Sequence, residues 1–137
     1  MQELLYSLGL ILFLLGLLTG MAIPALKNPR MGLAGHMVGM TNGPFLIVVG
    51  LMWPHVDLSH TWQVITIWLL AYGSFANWLA MQLGALWGAG RKFAPGATGD
   101  HRASAGKERT VDFLLVSLAP IMIAATVLLL VGVLRQS

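Results

Sequence analysis

The sequence contains no cysteine, which removes disulfides, thiolate metal ligands and cysteine nucleophiles from consideration. Charge is scarce too: Asp, Glu, Lys and Arg make up 9% of the 137 residues, where a soluble globular domain carries about 25%. No Ser-His-Asp arrangement, phosphate-binding loop or pair of carboxylates lies in the apolar stretches, so hydrolysis and phosphoryl transfer lack their usual groups. The apolar runs also lack the alternation a transmembrane barrel requires. The N-terminus, Met1-Gln2-Glu3-Leu4-Leu5, has no basic region, and the long apolar run behind it is expected to be a retained helix rather than a cleaved signal.

What is present is hydrophobicity. Some 57% of residues are apolar and the mean hydropathy is +0.78, which predicts an all-α integral membrane protein. A helix of about 20 residues crosses the hydrocarbon core. Four stretches are long enough: residues 3–25, 32–53, 61–87 and 111–134. They predict a single four-helix transmembrane domain over residues 1–137, arranged as a bundle.

The net charge of +3 does not indicate nucleic acid, because the cations are few and sit in short loops. Seven of the eight Lys and Arg residues fall in or beside loops 26–31 and 88–110, and only Arg135 lies at the other end. The positive-inside rule places both of those loops in the cytoplasm. Loop 88–110, with Pro95, several glycines and mixed charge, reads as an irregular lid or connector.

Polar groups inside spans are rare and face the bundle interior or a functional cavity. Gly35, Gly39 and Gly43 recur every four residues and form a smooth stripe on the second helix. Such a stripe either lets another helix approach closely or leaves room for a flat cofactor. His36 adjoins it. An imidazole there can ligate haem iron, bond across to another helix or carry protons. The other histidines, His55, His60 and His101, fall in loops, so several histidines on one metal are not expected. Asn42 follows His36 by six residues, which puts it some 120° round the helix at about 100° per residue. Pro44 predicts a local break in the backbone bonding.

The third helix adds Tyr72, Ser74, Asn77 and Gln82. Gly73 and Asn77 share a face, and Tyr72 lies on an adjoining one. Asn77 is either an interhelical hydrogen-bonding group or a site residue, and Tyr72 is a hydrogen-bond donor or a packing aromatic. Asp112 is expected to begin the fourth helix, where the dipole favours a carboxylate. Tryptophans near helix ends read as interfacial anchors.

Several short motifs now line up in order. They are His36 with Asn42-Gly43 after it, Leu51-Met52-Trp53-Pro54, Gly73-Ser74-Phe75-Ala76-Asn77, and Leu118-Ala119-Pro120. From Gly35 to about Val133 the chain resembles the small membrane isomerases that include styrene oxide isomerase and hydroxylaminobenzene mutase. The resemblance implies a homotrimer of four-helix protomers in the bacterial inner membrane, with haem b near subunit contacts. It implies His36 as the iron ligand, and Asn42 and Asn77 as substrate contacts that Tyr72 assists. The epoxide branch has an aspartate shortly before the second asparagine and a tyrosine four residues after it. Here those regions offer Tyr72 or Gly73, and Met81. The mutase branch is therefore the nearer one. It implies conversion of hydroxylaminobenzene to 2-aminophenol, with ferric haem as Lewis acid and no net oxidation. The alternatives are an aryl epoxide isomerase, a non-catalytic haem-binding anchor, or a transporter or structural subunit without haem.

Overall fold

The computed structural model describes residues 1–137. It is all-helical, with four helices long and apolar enough to cross a membrane. Helix α1 spans Gln2–Ala22, α2 Pro29–Met52, α3 His60–Trp87, α4 Pro95–Thr98 and α5 Ala105–Gln136. Short 3-10 turns at Ile23–Ala25 and Trp53–His55 follow α1 and α2.

The helix ends follow local chemistry rather than hydropathy. Helix α2 starts three residues before the expected 32, because Asn28 caps it and Pro29 occupies its first position. Proline is favoured there, where its missing N–H would have no partner anyway. Gly88, at φ +71°, ends α3 in the left-handed region that glycine adopts freely. Helix α5 begins at Ala105 and not near 111. Its first turns carry Lys107, Glu108 and Arg109, which hydropathy excludes from a span but which are good helix formers. Asp112 consequently lies two turns inside α5, so the dipole at the helix start does not account for it.

Helix packing follows a row. α1 packs on α2, α2 on α3, and α3 on α5, while α1 only touches α3. The bundle expected from four spans is thus open on the α5 side, and only 11% of the apolar stretch of α5 is buried. α1 and α5 are apolar nearly all round, so lipid can solvate the faces that other helices leave bare.

Between α1 and α2 the backbones meet. Added methyl groups at Gly16 and Gly39 would strike each other's helix, and one at Gly43 would lie 2.8 Å from the Gly9 carbonyl. The core proper collects Leu5 and Leu12 of α1, Leu46 and Val49 of α2, and Ile67 and Leu70 of α3. Trp53 belongs to it at 7% exposure, and so is not an interfacial anchor. The turn after it is pinned to α5, where Asp57 N donates to the Gly132 carbonyl at 2.9 Å.

The two basic loops share one end of the molecule. The residue 88–104 segment is an ordered cap rather than an irregular connector. Asn28, 1% exposed, donates to the carbonyls of Ala97 (2.9 Å) and Thr98 (3.3 Å) while accepting from Met31 N. Arg30 donates to the Gly96 carbonyl, and His101 bonds the Thr98 and Lys27 carbonyls through its two ring nitrogens.

Candidate active site around His36

His36 is half-buried in the α1–α2 seam. Its Nδ1 lies 2.8 Å from the Gly16 carbonyl oxygen of α1. A carbonyl can only accept, so Nδ1 carries the proton and donates. The tautomer is thereby fixed, and the Nε2 lone pair is left for a ligand. Gly20 makes the seat: a methyl there would fall 2.7 Å from Nδ1 and 3.0 Å from Cε1. Gly16 and Gly20, one turn apart on α1, supply respectively the acceptor and the space. Sequence reading overlooked both because α1 carries almost no polar side chains. The signal was their spacing, four residues apart and matching the stripe on α2.

That stripe divides by role. Gly39 and Gly43 are covered by the α1 backbone at Gly16, Gly9 and Phe13. Within the protomer no cofactor has room along them, and their smallness serves helix packing. Gly35 faces α3 instead, against Met81 and Gln82. His36, about 100° further round, is turned from α3 toward α1.

Asn42 lies two turns beyond Gly35 and shares its α3-facing side. Helices α2 and α3 run antiparallel, and Gly35 is level with Met81 and Gln82. Seven residues further, about 10 Å along α2, Asn42 is level with Ser74 and Phe75. Asn77 is four residues before Met81, which packs on Gly35, and four after Gly73, which packs on Met122 of α5. It therefore occupies the strip of α3 between its α2 and α5 contacts. Neither asparagine has a hydrogen-bond partner in the chain, and both are half-buried. The two amides are thus without a partner in the chain, and by helix periodicity both lie toward the α2–α3 contact. His36 faces another side.

Tyr72 is not brought to either place. It faces α5, where its hydroxyl is 2.8 Å from Ser117 Oγ. Two polar groups to which the sequence assigns no role, Ser74 and Gln82, have buried polar atoms. Ser74 is fully buried with no partner for Oγ, and Gln82 Nε2 is buried without a partner beside Gly35. Trp78 donates its indole N–H to Thr19 Oγ1 at 3.2 Å, tying α3 to α1 one residue from the imidazole seat.

The residues present bear directly on haem binding. There is no group of three or more His, Cys, Asp or Glu side chains able to hold a bare metal ion. A haem needs only one protein ligand, and an imidazole whose second nitrogen is held by a backbone carbonyl is the usual form of that ligand. His36 fits.

The profile of the styrene oxide isomerase family matches residues 1–134. The chain belongs to the styrene oxide isomerase family. Within this family of isomerases it is similar to hydroxylaminobenzene mutase HabA of Ectopseudomonas oleovorans, with 60% identity over 98% of this chain and 100% of that protein. It is also 44% identical to hydroxylaminobenzene mutase HabB of the same organism, over 93% of this chain and 78% of that one. No solved structure matches it.

Proposed function

We propose that this enzyme is an intramolecular transferase that converts hydroxylaminobenzene to 2-aminophenol. Identity of 60% across the full length of a protein named for that reaction supports the substrate. The observation that carries the site is the His36 Nδ1–Gly16 bond, which leaves the Nε2 lone pair as the atom that would hold a haem iron. A haem b held by His36 would supply Lewis acidity toward the N–O bond.

This chain's own residues supply the rest. Asn42 and Asn77, unpaired and level with the middle of the spans, orient the hydroxylamino group and hydrogen-bond the oxygen as it moves from nitrogen to the ortho carbon. The surrounding apolar side chains exclude water, so the oxygen returned to the ring is the one that left nitrogen. The ring then loses its ortho proton and nitrogen gains one, so the product is an isomer of the substrate.

His36 and the asparagines face different sides of one protomer. The asparagine side of the α2–α3 contact and the outward side of the α1–α2 seam are surfaces a second copy can cover. A homotrimer that sets the His36 side of one protomer against the asparagine side of another reconciles the two. The basic end, with loops 26–31 and 88–110, faces the cytoplasm, and the membrane is the bacterial inner membrane.

Epoxide isomerisation is the less favoured chemistry for this chain. Gly73 is packed against Met122, and Met81 stands against Gly35, so neither position offers an acid or a hydroxyl.

The test is purified protein with hydroxylaminobenzene labelled with oxygen-18. The expected product is 2-aminophenol retaining the label when the reaction runs in ordinary water. No 2-aminophenol from cofactor-replete protein, or an oxygen drawn from water, would sink the reading.

A further inference from the structure

Where the basic end meets the apolar length of α5, there is a cavity of about 710 Å³ that the mutase site does not use. Three kinds of group line it. Arg91, Lys92 and Arg109 stand at its mouth, all exposed. Glu108 and Asp112, one turn apart on α5, line it beside them. Phe113 and Val116, 67% and 52% exposed, carry it down the bare side of α5.

The carboxylates are incompletely satisfied. Glu108 Oε2 accepts from the backbone N–H groups of Gly90 and Arg91, at 2.9 and 3.2 Å. Its Oε1 is buried without a partner, and so is Asp112 Oδ1. A buried carboxylate without a donor is costly, and a neighbouring cation offsets that cost. The cations at the mouth are spent elsewhere or open to solvent: Lys92, for one, lies over the Phe93 ring, 5.2 Å from its centroid.

We propose that this cavity seats the headgroup of an aminophospholipid from the surrounding bilayer. Such a lipid carries a phosphate and, a few bonds further, a primary ammonium. The phosphate matches Arg91, Lys92 and Arg109. The ammonium supplies the missing positive charge and N–H donors beside Asp112 and Glu108. The acyl chains continue over Phe113 and Val116, along the face of α5 that no helix of the chain covers. The depth agrees, since the charged first turns of α5 give way to apolar residues at Val111, where headgroups meet hydrocarbon. A purely anionic lipid would leave the carboxylates unanswered. A trimethylated headgroup would bring the charge without the N–H donors.

The experiment uses the full chain in nanodiscs made with equal parts of phosphatidylethanolamine, phosphatidylcholine and phosphatidylglycerol. Retained lipid is measured by native mass spectrometry as the bilayer is stripped with detergent. Wild type is expected to retain phosphatidylethanolamine about fivefold over either competitor, the selectivity one interfacial charge contributes. Asp112→Asn, which removes an unpaired carboxylate, should lose that preference without a lower unfolding temperature. Arg109→Gln, a change at an exposed side chain, should weaken retention of every phospholipid at this site. Equal retention of the three lipids by wild type, or an unchanged preference in Asp112→Asn, would overturn the proposal. Displacement of the lipid by soluble glycerophosphoethanolamine would overturn the bilayer as its source. Retained lipid is read without catalysis, so it stands or falls apart from the mutase reaction.

Discussion

The imidazole of His36 reaches across the α1–α2 seam to the Gly16 carbonyl, 2.8 Å away, and lies on the bare backbone of Gly20. A side chain on α2 is thus oriented by two glycines of α1. The proposed function depends on that orientation as well as on the presence of His36.

Gly20→Ala tests that dependence. The new methyl would stand 2.7 Å from Nδ1, so the ring must move and its bond to Gly16 is lost. Turnover should fall about 10- to 100-fold, the scale on which a small misplacement acts. The stability loss should stay near one hydrogen bond, about 1 kcal/mol. Steady-state kinetics beside thermal unfolding in detergent separates the two. A fall in stability with normal turnover would show that the seat does not matter.

Gly39→Ala should behave the opposite way. Its methyl meets backbone atoms of Gly16 and Leu12, which cannot swing aside, so the two helices must separate. The expected loss is about 1–3 kcal/mol, read as a lower unfolding temperature. Gly96→Ala is the control, because nothing lies within 4 Å of the added group.

Asn42→Ala and Asn77→Ala should each lower kcat by about 100-fold with little change in stability, since neither amide bonds to the protein. Tyr72→Phe removes only a contact with Ser117 on α5. It should change kcat by less than about threefold, what a single partly exposed hydrogen bond is expected to contribute. A large loss in Tyr72→Phe with the asparagine variants intact would invert the assignment.

Asn28→Ala removes two bonds that hold the 88–104 cap to the start of α2 and the N-cap bond from Met31 N. The expected cost is roughly 1–3 kcal/mol. Arg91, Lys92 and Arg102 should become trypsin-sensitive in the folded protein. Cleavage no faster than in wild type would show that the cap is held by other contacts.

The spans were legible in the sequence because lipid demands long apolar helices. The starts of α2 and α5 were not, since Asn28 with Pro29, and the charged turns opening α5, obey capping and propensity rather than hydropathy. His36 and Asn42 stood out as polar groups in an apolar run, and periodicity puts them on different faces of α2. The glycine stripe left packing and cofactor readings both open. Only the position of α1 separates them, with Gly39 and Gly43 under its backbone and Gly35 against α3. The seat made by Gly16 and Gly20 was invisible because a carbonyl and a missing side chain leave no polar mark. Tyr72 is 38% exposed, and periodicity does not say that its hydroxyl meets Ser117 of α5.

The most direct test of the account is an absorption spectrum of the purified wild-type protein beside His36→Ala. A Soret band in wild type, lost in a variant that keeps its helical content, is the predicted result. A band that persists in His36→Ala, or well-folded wild type that takes up no haem, would contradict it.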